Sequence, residues 1–495
     1  MNWLWMYFFL MDRYHAVMAN FFLGDNATTP TGDMLGEEIA VYYLTQRKCR
    51  YGPVIGHGKL FARLANPQLD EPHAEFLRKD RACLTRLAAR LLRNSSFRGK
   101  IKGVKQGTIM FAGVPFMYVE GKLWEAHLIE VAAIHAFDLT ITVAYNAMEM
   151  CKAAGKKSPG VQPFMSVFSL RRDGDVERSA EVTKAAIIGG FDDTSDMEAA
   201  FRLGVASVGT MAHYLVMAFI MYMHRPERDA SGKKKHFQQV AYERWLDDNP
   251  NGTILLIDTI IYLLGIKHAI LAAMSSEKRR KAFKGIRIDS GDLIESARFC
   301  RKLLDKHGFQ DVGIILTGDL DAEKIAEIVA ALDFPIMGFG VGTKLAAEIR
   351  HVAGVIFKLC EIAGIPVMKL SDTAGKETNP GQAQVWRCYR KDEKSGKLLA
   401  FKDVVALESE EAPTGEGIVK AVPLLVPLWG YEEAEPFEDL PALELKESVR
   451  QQEAEFVCPL DQYPIERSEQ LKSLIKQVAD SMMEDEGPEL DMNID

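Results

Sequence analysis

The densest run of reactive side chains is Gly285-Ile-Arg-Ile-Asp-Ser-Gly-Asp-Leu293. Arg287 alternates with Ile286 and Ile288, so on a strand it points to the opposite face from them. A guanidinium inside a fold needs an anionic partner, because an unpaired buried charge is costly. A substrate carboxylate matches its bidentate fork. Asp289 and Asp292 bracket Ser290-Gly291. They could hold a hydroxylated sugar or a magnesium ion, which prefers carboxylate and water oxygens. An internal Arg–Asp pair and a helix cap would use the same residues without any ligand.

Other clusters have a similar character. In Gly338-Phe-Gly-Val-Gly-Thr343, glycines such as Gly340 and Gly342 let backbone N–H groups approach an anion at the start of a helix, with Thr343 beside them. A tight turn would need the same glycines. In Leu316-Thr-Gly-Asp-Leu-Asp321, Gly318 could bind a second part of a phosphate, or Asp319 or Asp321 could cap a helix. Gly209-Thr-Met-Ala-His213 sets a histidine on the first turn of the next helix, where it could act as base or nucleophile. Arg171-Arg172 adds positive charge. No G-x-x-x-x-G-K-[ST] pattern occurs, so a nucleotide is not expected in a P-loop.

What must position these clusters is a set of short apolar runs: 164–169, 205–208, 254–257, 285–288, 312–316 and 335–337. Each ends in a polar or glycine-rich cluster, and most lead into a helical pattern. After Asp319, for example, Ile325, Ile328, Val329 and Leu332 share one helix face. Strand followed by helix, repeated, predicts a parallel sheet covered by helices, closed as a barrel or doubly wound. In both arrangements the C-terminal strand tips gather at one end, where ligands bind. Two anion loops, basic groups, carboxylates and a histidine at that end suit a small phosphorylated substrate and a small anionic acid.

The chain has 495 residues, 60 basic and 69 acidic, for a net charge of -9, which argues against bulk nucleic-acid binding. Its 47% hydrophobic and 26% charged composition is that of a globular protein. The 7 cysteines form no C-x-x-C pair, which fits a reducing, cytoplasmic setting and no cysteine-based zinc site. The apolar start, residues 1–11, is shorter than the roughly 20 residues of a spanning helix. It has no basic flank before Arg13, so neither a leader nor a membrane anchor is expected. No other run reads as membrane-length; 254–270 comes nearest and is broken by Asp258, Lys267 and His268. The expected organisation is an α+β segment at 12–134, a barrel at 135–364, a C-terminal part at 365–481 packing on the first segment, and an acidic tail at 482–495. The Lys-rich stretch 225–239 reads as a solvated loop.

These motifs, in this order, resemble the nicotinate phosphoribosyltransferase family. Further matches are Asp12-Arg-Tyr14 with Met18, Gly107-Thr-Ile-Met-Phe111, Phe357-Lys-Leu, Met368-Lys-Leu-Ser371, Lys376, Pro380-Gly381 and Arg387. The resemblance implies an α/β fold: an incomplete parallel barrel beside an α+β domain built from both ends of the chain. It implies transfer of phosphoribose from phosphoribosyl pyrophosphate to nicotinate in NAD salvage, releasing pyrophosphate and driven by ATP through a phosphohistidine, with Mg2+ or Mn2+. On this carry-over His213 is phosphorylated, while Arg287 and Thr210 contact nicotinate. Tyr14 stacks on the ring across the interface of a homodimer with a shared active site, Arg171 serves the anionic substrates, and Thr343 with its neighbouring glycines holds the phosphoribosyl group. Asp289 and Ser290 belong to the same constellation.

The sequence also departs from the family's pattern. The helix after Thr140 has Tyr145 and Met148 where the family usually carries Lys and Arg. Thr194-Ser195-Asp196 stands for Thr-Ser-Asn, and Asp258-Thr-Ile-Ile261 for Asp-Thr-Tyr-Asp. The competing expectations are transfer to nicotinamide, which lacks the carboxylate Arg287 would clamp; transfer to quinolinate, which needs no ATP; and a paralogue that binds without turnover.

Overall fold

The computed structural model describes residues 9–65, 69–93, 96–155, 163–371, 378–415 and 417–484. Residues 1–8, Lys376 and most of the acidic tail lie outside the described residues. The chain forms two compact units. One comprises Met1–Thr142, Val352–Leu440 and Glu447–Asp495, the other Val143–His351 and Pro441–Lys446.

The second unit carries a seven-stranded parallel sheet. Its strands are β1 (Phe164–Val167), β2 (Asp193–Thr194), β3 (Ala206–Ser207), β4 (Thr253–Leu256), β5 (Phe283–Ile288), β6 (Gly313–Thr317) and β7 (Gly338–Val341). The order across the sheet is β3-β2-β1-β7-β6-β5-β4, and each adjacent pair is parallel. Consecutive strands are neighbours, and β1 pairs with β7, so the sheet is a barrel left open between β3 and β4. The incomplete parallel α/β barrel expected from the sequence is therefore present. Its core is made by alternate residues such as Met165, Ile286, Leu316 and Phe339, all buried.

Two details differ from the sequence expectation. β2 has two residues, too few for any apolar periodicity, so its tip is absent from the expected set. β7 begins at Gly338, not at Pro335, so Gly338 and Gly340 lie within the strand rather than in a turn. A Cβ at Gly340 would come 2.6 Å from both the Phe168 ring and Thr317 Cγ2. Glycine is required there by strand packing, and a glycine-rich strand imitates a glycine-rich loop in sequence.

The six-residue piece Pro441–Lys446 joins this unit although it comes from the C-terminal part. Lys446 Nζ donates to the carbonyl of Phe191 at 2.6 Å and lies 3.4 Å from Asp192 Oδ1.

The other unit holds a six-stranded sheet drawn from both ends of the chain. Val355–Ile362 pairs antiparallel with Ile39–Gln46, and Val426–Trp429 with Lys100–Gly103. Tyr42 stacks on Phe357 with ring centroids 4.6 Å apart. This pairing draws 355–362 out of the barrel zone read from the sequence. A second sheet contains Ala383–Lys391 and Leu398–Leu407. There Arg387 is buried, donating to both carboxylate oxygens of Asp403 and to the carbonyl of Ile109.

Among the described residues, one helical run, Leu123–Ala153, is long and apolar enough to cross a membrane by length and composition. This corrects the expectation that no second run reaches that length. Charged residues such as Glu130 and Asp138 interrupt it in sequence. In the fold, 67% of its most apolar window is buried within the chain, the condition of a core helix.

Candidate active site at the barrel strand tips

The polar clusters converge because β1, β3, β4, β5 and β6 all point one way. At the tip of β5, Asp289 is held from two sides. Its backbone N–H donates to Asp258 Oδ2 at 3.0 Å, and its Oδ1 accepts from the Thr317 hydroxyl of β6. Ser290 Oγ donates to the same Asp258 oxygen at 2.5 Å. Asp258, at the tip of β4, therefore joins two strand ends, and its other oxygen, Oδ1, is buried without a hydrogen-bond partner. The sequence placed Asp258 at the end of an apolar run and in the motif Asp258-Thr-Ile-Ile261, but gave it no role in the site.

Arg287 is the strand residue that faces the barrel end. Its Nη1 lies 3.4 Å from Thr210 Oγ1 and its Nη2 donates to the carbonyl of Met211 at 3.1 Å. Its Nε is buried without a partner. Burial lowers its pKa; Asp289 and Asp258 oppose that effect, and the charge of Arg171 adds to it. Arg171 and Arg172 are exposed in the short 3-10 turn Leu170–Arg172 after β1. The structure thus gathers Arg171, Arg287, Thr210, Asp289 and Ser290 at one end. A guanidinium with an idle buried donor and a nearby second cation is a site for an anion.

His213 opens the helix His213–Ala218, after β3. Its Nδ1 lies 3.2 Å from Thr259 Oγ1 and its Nε2 3.7 Å from Asp289 Oδ2. Its side chain is 41% exposed, so a substrate can reach it. Histidine, carboxylate and arginine therefore share one small region although 76 residues separate His213 from Asp289 in sequence.

Three other expected residues are differently occupied. Asp292 caps the helix Leu293–Lys306, accepting from the N–H groups of Ile294 and Glu295. Asp321 caps Ala322–Ala331 through the N–H of Lys324. Capping therefore accounts for both. Gly318 has φ +97°, and a Cβ there would lie 2.3 Å from the carbonyl oxygen of Asp289. This packing is sufficient reason for glycine whether or not a phosphate sits above it.

A cleft of about 650 Å³ opens beside these tips, lined by Asp289, Ser290, Gly318, Asp319 and Asp321. Half of the residues that line it are acidic, and Lys324, the one cation among the described residues that line it, is paired with Glu327. Carboxylates accept from sugar hydroxyls and repel a bare phosphate. Gly342 and Thr343 lie at the tip of β7, at the start of a single helical turn, Thr343–Ala346. Among the described residues, no group of three or more His, Cys, Asp or Glu could hold a metal.

Tyr14 belongs to the other unit, on the helix Arg13–Phe22. It is 51% exposed, and its hydroxyl lies 3.5 Å from Glu130 Oε2. Glu130 also meets His15 Nε2 at 3.0 Å and Lys358 Nζ at 3.8 Å. Burial pushes the Glu130 carboxyl up, but these partners outweigh it and hold it below the usual range.

The departures from the family pattern can also be placed. Tyr145 and Met148 are buried, and Tyr145 packs edge-on against His351. Asp196 is buried and caps Met197–Leu203, while its second oxygen accepts from Ser179 Oγ. Both carboxylate oxygens have donors, which explains how Asp serves where Asn is usual. Ile261 is the N-cap residue of the helix Tyr262–Met274 and is half exposed, with no side-chain cap bond.

The sequence profile of the nicotinate phosphoribosyltransferase (NAPRTase) family matches residues 165–400. Nicotinate phosphoribosyltransferase pncB1 of Mycobacterium tuberculosis is 32% identical over 384 residues, 77% of this chain and 78% of that protein. The nicotinate phosphoribosyltransferase of Bacillus subtilis is 32% identical over 308 residues, 61% of this chain and 58% of that protein. Among solved structures, human nicotinic acid phosphoribosyltransferase aligns with a TM-score of 0.73 at 20% identity, covering 94% of this chain and 99% of that one. The nicotinate-nucleotide pyrophosphorylase of Pyrococcus furiosus aligns with a TM-score of 0.63 at 22% identity, covering 91% and 95%. At such identities the two structures speak for the fold.

Proposed function

Because the chain belongs to the nicotinate phosphoribosyltransferase family, we propose that it transfers phosphoribose from phosphoribosyl pyrophosphate to nicotinate, with ATP hydrolysis coupled through phosphorylation of His213. The observation that carries this reading is the meeting of Arg287, His213 and Asp289 at one barrel end. In this reading the nicotinate carboxylate pairs with Arg287 and accepts from Thr210, and Arg171 adds to the anion's attraction. The ring nitrogen attacks the ribose carbon as pyrophosphate departs. Positive charge then develops on the sugar, and Asp289 and its neighbouring carboxylates stabilise it. Gly318, Gly340, Gly342 and Thr343 are the proposed phosphate contacts. For Gly340 only the backbone is available, since its Cα position is packed within β7.

Magnesium or manganese would come as an ion brought by the diphosphate, which keeps several waters and needs only one or two protein carboxylates. Asp289 and Asp319, both on the acidic cleft, would hold it. When bound it would neutralise the departing pyrophosphate. Tyr14 would stack on nicotinate from the second copy of a homodimer, and the enzyme would act in the cytoplasm.

The test is turnover by purified chain with magnesium, phosphoribosyl pyrophosphate and labelled nicotinate, with and without ATP, beside His213→Ala. Product stimulated by ATP in the wild type, with the stimulation lost in the variant, is the expected result. Product from nicotinamide or quinolinate instead, or from no ring, overturns it in favour of another acceptor or of binding without turnover.

A further inference from the structure

Tyr14 is half exposed, yet it is held at two points. Its ring lies against the imidazole of His15, with centroids 4.0 Å apart and planes 31° apart. Its hydroxyl lies 3.5 Å from Glu130 Oε2. His15 itself is buried and oriented by its surroundings. Its Nδ1 lies 3.2 Å from the backbone N–H of Asp12, a group that can only donate. The ring proton is therefore on Nε2, which donates to the same Glu130 oxygen at 3.0 Å. The carbonyl of His15 lies 3.1 Å from His127 Nε2.

One carboxylate oxygen thus gathers two consecutive side chains of the helix Arg13–Phe22. Consecutive helical residues point about 100° apart. Pinning both at one point fixes the roll of the helix, and with it the direction of the Tyr14 ring. Glu130 is suited to this. It opens the helix Glu130–Ala153, whose unpaired N–H groups favour a negative charge, and Lys358 Nζ lies 3.8 Å from its other oxygen. All of these residues lie in the unit built from both ends of the chain.

We propose that Glu130 is a positioning residue for Tyr14, its Oε2 pinning the Tyr14 hydroxyl and the His15 ring together so that the exposed face of the Tyr14 ring is aimed at a planar acceptor. The role in turnover rests on the reading of Tyr14 as the residue that stacks on nicotinate from the second copy of a homodimer. Aromatic contacts depend on the angle between the rings. Bond making at the barrel strand tips involves neither Tyr14 nor Glu130. Loss of Glu130 therefore acts on the KM for nicotinate and leaves kcat.

The experiment compares Glu130→Ala, Glu130→Gln, Tyr14→Ala, Tyr14→Phe and the double variant Glu130→Ala/Tyr14→Ala in the full chain. Glu130→Ala should raise the nicotinate KM about threefold to tenfold, the weight of one aromatic pair, with kcat unchanged. Glu130→Gln keeps an accepting oxygen and should recover most of this. In the Tyr14→Ala background Glu130→Ala should add little, whereas general damage to the fold would add in full. Tyr14→Phe keeps the ring and loses the anchored hydroxyl; it should raise KM in the same direction, and it serves where circular dichroism shows Glu130→Ala unfolded. The contact itself is read by fluorine-19 NMR of the chain labelled with 3-fluorotyrosine, with Tyr14 assigned from Tyr14→Phe. Burial, Glu130 and Asp12 all raise the Tyr14 pKa, so Glu130→Gln should let this hydroxyl ionise at lower pH. A wild-type KM in folded Glu130→Ala, or in Tyr14→Phe where Glu130→Ala is unfolded, overturns the proposal. So does a cost that persists in full without Tyr14, or a Tyr14 ionisation that ignores Glu130→Gln. Absence of nicotinate turnover in the wild type would instead refute the reading of function, and the fluorine titration would then decide by itself whether Glu130 holds Tyr14.

Discussion

Arg287 on β5 donates from Nη2 to the carbonyl oxygen of Met211, 3.1 Å away and 76 residues earlier in the chain. The bond ties the guanidinium to the segment that leads into His213. One side chain therefore combines two states: its Nε is a buried donor without a partner, and its Nη atoms hold the loop before the histidine.

Removing that side chain should damage recognition first. Arg287→Ala is expected to raise the nicotinate KM on the order of tenfold to a hundredfold, since a charge-assisted hydrogen bond contributes about 1.5–3 kcal/mol. Arg287→Lys should recover little, because an ammonium cannot reproduce the fork. Steady-state kinetics with nicotinate decides this, and unchanged constants in Arg287→Ala would refute the assignment.

Gly318 tests how tightly the strand tips are packed. With φ +97° and only 2.3 Å between an added Cβ and the Asp289 carbonyl, Gly318→Ala must shift the β5 tip. Left-handed strain alone costs about 1–3 kcal/mol. Turnover should fall at least tenfold on this scale, while circular dichroism shows a folded chain. A fully active Gly318→Ala enzyme would mean that the tip geometry is not needed for turnover.

Arg387 carries a structural prediction. It lies among the family-like motifs, yet it is buried against Asp403, whose Oδ1 also accepts from Tyr463 at 3.0 Å. Arg387→Met leaves a buried carboxylate unpaired and should destabilise the chain by about 3–5 kcal/mol. Adding Asp403→Leu should restore much of that. Urea midpoints of the single and double variants measure it. A double variant no more stable than the single would exclude the unpaired charge as the cause.

Two buried groups in the same unit should oppose each other in pH dependence. Burial pushes His57 down to about 4 and Glu125 up to about 7. For His57 the unfolded chain binds more protons between about pH 4 and 6.5, so this group adds stability as pH rises through that window. For Glu125 the folded chain binds more protons between about pH 4.5 and 7, so this group removes stability as pH rises. Each amounts to about 3 kcal/mol, and the two nearly cancel. Relative to wild type, Glu125→Gln should become more stable as pH rises from 4.5 to 7. His57→Phe should become less stable as pH rises from 4 to 6.5. Denaturation midpoints across this range test the signs, and parallel pH profiles for all three proteins would exclude both shifts.

Much of the barrel was legible because its rules are local. A run such as Ile314–Leu316 followed by Thr317-Gly318 marks a strand and its tip, and the helix face of Ile325 and Ile328 marks the return. β2 was illegible because two residues carry no period. β7 was misplaced because Gly338 and Gly340 look like a loop until Phe168 and Thr317 are seen to fill the space where side chains would be.

The sequence by itself determined the strand–helix alternation, the residue types at the tips and the family resemblance, all of which depend on neighbours along the chain. Only the tertiary structure decided which tip residues do which work. The sequence left Asp292 and Asp321 open between ligand contact and helix capping, and in the fold Oδ1 of each accepts from helix N–H groups. Asp258 and Thr259, read from the sequence only as the polar end of a strand and part of a motif, turned out to contact Asp289 and His213. The physical reason is that a hydrogen bond forms only within about 3 Å, and distances between strand tips far apart in sequence are set by how the parallel strands pack side by side.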